Sequence, residues 1–121
     1  MVNYFFDTYA LIEVTKNNPN YLKFIGEDVV TSKFNLVELT YITLVELGEE
    51  SAKKVFQRFK DAEVDIDDEI LFKAVKFRLK HKKKSLSYAD CIGYIFALEN
   101  KLKFLTGDHA FEGMNSVEFV K

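Results

Sequence analysis

Asn3-Tyr4-Phe5-Phe6-Asp7-Thr8-Tyr9-Ala10-Leu11 begins as an apolar, aromatic run, stops at an acid and continues as a stretch that can form a helix. Residues 2–6 are short and almost wholly apolar, the pattern of a strand buried on both faces. Residues 8–16 read as a helix, and Asn17-Asn18-Pro19 stops it and starts the next one. The same order returns far along the chain. Residues 102–106 read as a strand, and Gly107 and Asp108 follow it.

Working outward, residues 28–32, with Val29-Val30-Thr31, read as a second strand, and residues 33–47 as a helix that Gly48 ends. Residues 49–60 form another helix, with charges on one side and Val55, Phe56 and Phe59 on the other. Residues 63–66 read as a short strand. A helix follows over 67–82, with Ile70, Leu71, Ala74, Val75 and Leu79 as its apolar stripe. Residues 87–100 form a helix capped by Ser87, and 117–120 a last strand. Short apolar strands alternating with helices predict a parallel sheet covered on both faces. The expected fold is a three-layer α/β/α sandwich with a mostly parallel five-stranded sheet. The right-handed crossover rule suggests the strand order 3-2-1-4-5.

Residues 1–121 fit one domain, and 48% of them are hydrophobic. That supports a real core, because a chain of this size hides roughly two-thirds of its unfolded surface. The net charge of −2 excludes a bulk polycation, so nucleic acid would have to be met by a local patch or through metal ions. Cys91 is the single cysteine. It allows no intrachain disulfide and no zinc cluster, and reads as a small buried apolar residue. The amino-terminal residues do not resemble a signal peptide. No uncharged apolar run approaches the ~18 residues of a membrane span. A cytoplasmic protein without membrane contact is expected.

Ligands of parallel α/β sheets bind beyond the carboxyl ends of the strands. Asp7 and Asp108 both follow strands, Asp90 lies in the first turn of its helix and Glu38 in the early turns of another, so four acids can meet in one cleft. Clustered carboxylates repel one another. A divalent cation relieves that repulsion, and hard oxygen donors suit Mg²⁺ or Mn²⁺. Each acid also has an ordinary alternative as a helix cap or a partner of a helix dipole.

Four segments carry a family resemblance. Tyr4-Phe5-Phe6-Asp7-Thr8-Tyr9-Ala10-Leu11 resembles the opening of a PIN domain, and Leu36-Val37-Glu38-Leu39 its second acidic motif. Leu86-Ser87-Tyr88-Ala89-Asp90-Cys91-Ile92-Gly93 resembles the third motif, and Leu105-Thr106-Gly107-Asp108-His109-Ala110-Phe111 the fourth. The motifs follow the family order over almost the whole chain, while residues 48–80 carry little signal. The resemblance is greatest to the VapC-like toxin ribonucleases of toxin–antitoxin pairs. It implies an endoribonuclease with Mg²⁺ or Mn²⁺ held by Asp7, Glu38, Asp90 and Asp108, directly or through water. Thr8 and Thr106 would orient ligands or water. It also implies an RNA substrate, a homodimer, and an antitoxin segment lying in a groove. Gly107 departs from the pattern, because many relatives carry a charged or polar residue there.

Lys80-His81-Lys82-Lys83-Lys84 is the one concentrated basic run. It reads either as a solvated helix end or as a phosphate-binding rim made by Lys82, Lys83 and Lys84, since it leads into the helix bearing Asp90. Asp65-Ile66-Asp67-Asp68-Glu69 lacks the glycine and spacing of a calcium loop and reads as a helix start. His109 reads as a loop residue. The helix over 33–47 is apolar on more than one face, which calls for deep burial or for a partner surface. A dehalogenase-like phosphoryl transferase is excluded, because its motif needs a second Asp where Tyr9 stands. The remaining alternative to a nuclease is a non-catalytic PIN-like module that binds RNA or protein, although such a scaffold has no need to keep four mutually repelling acids.

Overall fold

The structure, a computed structural model, describes residues 3–26 and 28–121; Val2, the first residue of the expected opening strand, lies outside them. Five strands alternate with helices. They are β1 (Tyr4–Phe6), β2 (Thr31–Ser32), β3 (Glu63–Val64), β4 (Lys103–Thr106) and β5 (Val117–Phe119). The helices are α1 (Thr8–Thr15), α2 (Pro19–Leu22), α3 (Lys33–Leu47), α4 (Glu49–Phe59), α5 (Asp68–Lys80) and α6 (Tyr88–Glu99).

All the strand pairings are parallel, and they fall into two groups, β1-β4-β5 and β2-β3. One parallel bridge between Phe5 and Val30 joins the groups, supported by the Phe6 amide donating to the Val30 carbonyl at 2.8 Å. The order across the bridge is the expected 3-2-1-4-5. The single five-stranded sheet is replaced by three strands plus two, because β2 and β3 keep only two residues each.

The layers follow from strand alternation. Phe5 and Phe104 point to one face and pack with Ile70 and Ala74 of α5 and with Ile92 and Tyr94 of α6. Phe6 and Leu105 point to the other and pack with Leu11 and Val14 of α1, Leu36 and Leu39 of α3, and Phe59 of α4. Gly93 lets α6 lie close on the sheet, since a Cβ there would fall 2.5 Å from the Phe5 ring.

Helix ends obey local chemistry. Asp67 caps α5 by accepting from the Ile70 amide at 2.9 Å, so the acidic run is a helix start. Gly48, at φ 94°, ends α3 and opens α4, a conformation that glycine adopts without strain.

Three further expectations are corrected. The helix expected over 67–82 ends at Lys80, and Lys82–Lys84 form a separate 3-10 turn. Its expected apolar stripe is also only partly internal: Ile70 and Ala74 are buried, while Val75 and Leu79 are exposed together with Phe72. The helix packs through Phe77 instead, whose ring contacts Tyr94. Deep burial of α3 is overturned as well. Leu36 and Leu39 are internal, but Phe34, Val37, Tyr41, Leu44, Val45 and Leu47 are exposed.

Candidate active site

β1 and β4 are neighbours in register, with Phe6 opposite Leu105. Their carboxyl ends therefore lie side by side, and the residues that follow them share one edge. The Asp7 amide extends the ladder by donating to the Leu105 carbonyl at 3.3 Å. At that edge lies a cavity of about 380 Å³, and Asp7, Asp90 and Asp108 all line it.

Each of these three acids also serves a helical start. Asp7 accepts from the Ala10 amide at 2.8 Å and caps α1. Asp108 accepts from the Ala110 amide at 3.0 Å and caps the 3-10 turn His109–Phe111. Asp90 sits three residues into a capping box: its carboxylate accepts from the Ser87 amide at 2.9 Å, and its own amide donates to the Ser87 hydroxyl at 3.0 Å. Capping fixes where each carboxylate stands. It does not account for three caps meeting at one cavity.

Glu38 lies beside this group. It lines an adjoining groove with Phe34, Val37, Arg78 and Tyr88, and it reaches the cavity through Thr8, whose hydroxyl donates to its Oε1 at 2.7 Å. Behind Thr8 runs a buried polar chain. The Asn35 amide group donates to the Thr8 hydroxyl at 3.2 Å, and the Ser32 hydroxyl donates to Asn35 Oδ1 at 2.6 Å. Thr106 holds the fourth motif by accepting from the Asp108 amide at 3.0 Å.

The electrostatics match this crowding. Burial pushes the Asp7 carboxyl up to about 8, and the Asp90 and Asp108 charges push the same way against the Thr106 hydroxyl and the Ala10 amide. Asp90 is raised too, first by burial, then by Glu38 and Asp108, with the Ser87 groups opposing. Cys91 is buried and its thiol is pushed up to about 11 by that burial, as suits an inert core residue. His109 pairs with Glu112 at 3.0 Å on the surface. Among the described residues, no three His, Cys, Asp or Glu side chains close into a ready ligand cage.

The sequence matches the PIN domain family over residues 4–116. The chain belongs to the PIN domain family. Solved structures share the fold, among them the following three. A sarcin–ricin loop-cleaving VapC toxin of Mycobacterium tuberculosis is 14% identical, with a TM-score of 0.77 over 95% of this chain and 98% of that one. A toxin–antitoxin complex from Klebsiella pneumoniae is 19% identical, with a TM-score of 0.71 over 96% and 95%. A VapBC complex from Rickettsia felis bound to a promoter DNA fragment is 16% identical, with a TM-score of 0.72 over 99% and 98%. No curated protein matches the sequence.

Within this PIN domain the structure brings Asp7, Asp90 and Asp108 together and ties Glu38 to them through Thr8. The three lysines stand on a neighbouring turn, where the Lys84 ammonium donates to the Ala110 carbonyl at 2.8 Å. The sequence reading missed Asn35, Tyr9 and Lys121. Asn35 carries a weak local signal, as a polar residue three positions after the capping Ser32. Nothing local marks Lys121, which reaches the cavity only because β5 lies beside β4.

Proposed function

We propose that this PIN domain is a metal-dependent endoribonuclease, the toxin of a toxin–antitoxin pair. The observation that carries the reading is the convergence of Asp7, Asp90 and Asp108 on one cavity, with Asp7 buried and its carboxyl raised. The structural relatives that are toxins support it. The donor set is all oxygen, and the cavity has room for an ion that keeps several of its waters, as Mg²⁺ does. Asp7, Asp90 and Asp108 would hold Mg²⁺ or Mn²⁺, with Glu38 joining directly or through water. Such an ion supplies acidified water and charge stabilisation for phosphodiester hydrolysis. Thr8 orients Glu38, and Thr106 fixes the backbone that presents Asp108. Lys82, Lys83 and Lys84 form a rim for RNA phosphates. A second copy of the chain covers the exposed face of α3, and an antitoxin segment takes the groove that Ile12, Ile42 and Val55 line between α1, α3 and α4.

Asp90→Asn tests the reading cleanly, because Asn can still accept from the Ser87 amide while one negative charge is gone. Mn²⁺-dependent cleavage of RNA should be abolished. Without metal the variant should melt at the parent's temperature or slightly higher, and Mn²⁺ should raise that temperature less than in the parent. Full cleavage by the variant, or cleavage by the parent in excess chelator, contradicts the proposal.

A further inference from the structure

One cation stands in the wall of the acid cavity among the described residues outside the basic run. Lys121 follows β5, and its ammonium donates to the Gly107 carbonyl at 2.9 Å. The charge lies 5.0 Å from the Tyr9 ring centroid and 5.8 Å from that of Phe119. The backbone beneath it is anchored. The Val120 amide donates to the Thr106 carbonyl at 2.9 Å, the Tyr21 hydroxyl donates to the Val120 carbonyl, and the Asn20 side chain donates to the Lys121 backbone oxygen at 3.2 Å. Groups from two distant stretches of the chain, Asn20-Tyr21 and Thr106, thus fix where the Lys121 side chain starts, and two aromatic faces and a carbonyl fix where it ends.

Gly107 is part of the same arrangement. A Cβ at that position would strike the Tyr9 ring and the Val120 carbonyl. The missing side chain is what lets the ring lie against the Asp108 loop, and the ring in turn carries the Lys121 charge. The departure of Gly107 from the family pattern therefore belongs to the placement of a cation.

Lys121 forms no ion pair with a carboxylate among the described residues. A lysine ammonium has three donor hydrogens, and the Gly107 carbonyl takes one. Two donors and the full charge remain, on an exposed residue, beside three aspartates. An ammonium bound by aromatic faces and a neutral carbonyl is a point charge suited to a phosphate oxygen. Lys84 holds the Ala110 carbonyl as Lys121 holds that of Gly107, so two anchored lysines bracket Asp108 along the chain.

We propose that Lys121 is a substrate-binding residue that takes a backbone phosphate of the RNA at the edge of the acid cavity, with Gly107 and Tyr9 as its positioning residues. This rests on the ribonuclease reading above. The test is Mn²⁺-dependent cleavage of a single-stranded RNA oligonucleotide across a salt series, with melting temperatures taken in parallel with and without Mn²⁺. Lys121→Met keeps the aliphatic stem and removes the charge. It should raise KM about ten-fold, hold kcat within about two-fold of the parent, and lower the salt slope by about the share of one phosphate contact. Lys121→Arg should restore most of the KM. The Mn²⁺-induced rise in melting temperature should match the parent in both variants. An unchanged KM in Lys121→Met overturns the Lys121 assignment alone. So does a lost Mn²⁺ response, which would make Lys121 a support of the acids. RNA left intact by the parent itself overturns the ribonuclease reading and this inference together.

Discussion

The acid cavity and the outer face of α3 place opposite demands on the chain. At the cavity the hydrogen-bonding demand is met from within. Its buried side-chain polar atoms have partners, and among the described residues no buried side-chain nitrogen or oxygen is left without one. Along α3 the demand points outward. Val37 and Tyr41 are 58% and 66% exposed, and Val45 and Leu47 are 66% and 71% exposed, so a continuous apolar strip ends at solvent. Polar groups cannot be buried unsatisfied without loss, and that fixes the cavity locally. Apolar area is non-directional and can be covered later by another surface. The hydrogen bonding of the cavity closes within one chain, whereas the apolar face of α3 ends at solvent.

The largest expected effect breaks the comparison on the helix side. Val45→Asp should convert the proposed dimer to a monomer at micromolar concentration, since an unpaired carboxylate cannot be buried at an apolar contact without a large penalty. Sedimentation or light scattering would show it. A parent that is already monomeric at high concentration removes the reason for the claim.

A smaller effect sharpens the cavity side. With the Asp7 carboxyl raised from 3.8 to about 8, the folded chain keeps a proton that the unfolded chain has released across that window. Metal-free stability should therefore fall as pH rises from about 4 to about 8. Melting in chelator should drop between pH 5 and pH 8, by several degrees for each kcal/mol of that linkage. Asp7→Asn should flatten much of that slope, and the raised Asp90 should leave a remainder. Metal displaces the proton, so stabilisation by Mn²⁺ should grow with pH. Equal slopes in parent and variant would contradict the buried-acid account.

The smallest effect concerns the Lys82–Lys84 turn, which touches the loop after Asp108. Reversing the charge of Lys82, Lys83 and Lys84 together should weaken RNA binding several-fold at low salt and flatten its salt dependence. The Mn²⁺ melting shift should stay as it was. Unchanged affinity at low salt would leave the run as a solvated turn.

What the sequence shows of this molecule follows the range of the forces involved. Helix starts were legible at Asp7, Asp67 and Ser87, because a cap and its amide lie within three residues. The end of α3 was legible at Gly48 for the same reason. Strand lengths were not. Residues 28–32 look like five strand residues, yet only Thr31–Ser32 pair with β3, since pairing depends on a partner some thirty residues away. Val75 and Leu79 fit a helical stripe and still face solvent, because periodicity does not say which face meets the sheet. The candidate acids were legible as strand and helix ends with a family order. The Ser32–Asn35–Thr8–Glu38 chain and the position of Lys121 were not, as both arise from elements brought together by the sheet.

Gly107 gives the fold an unusual mutational neighbourhood. Because the Tyr9 ring and the Val120 backbone carbonyl fill the space that a Cβ at 107 would need, these positions are coupled: a side chain at 107 requires both a smaller residue at 9 and a shift of the backbone at Val120, and a smaller residue at 9 removes one of the two aromatic faces beside the Lys121 cation. Contacting residues of this kind do not add independently. A side chain at 107 therefore alters position 9, the Val120 backbone and the seat of the Lys121 charge as a set.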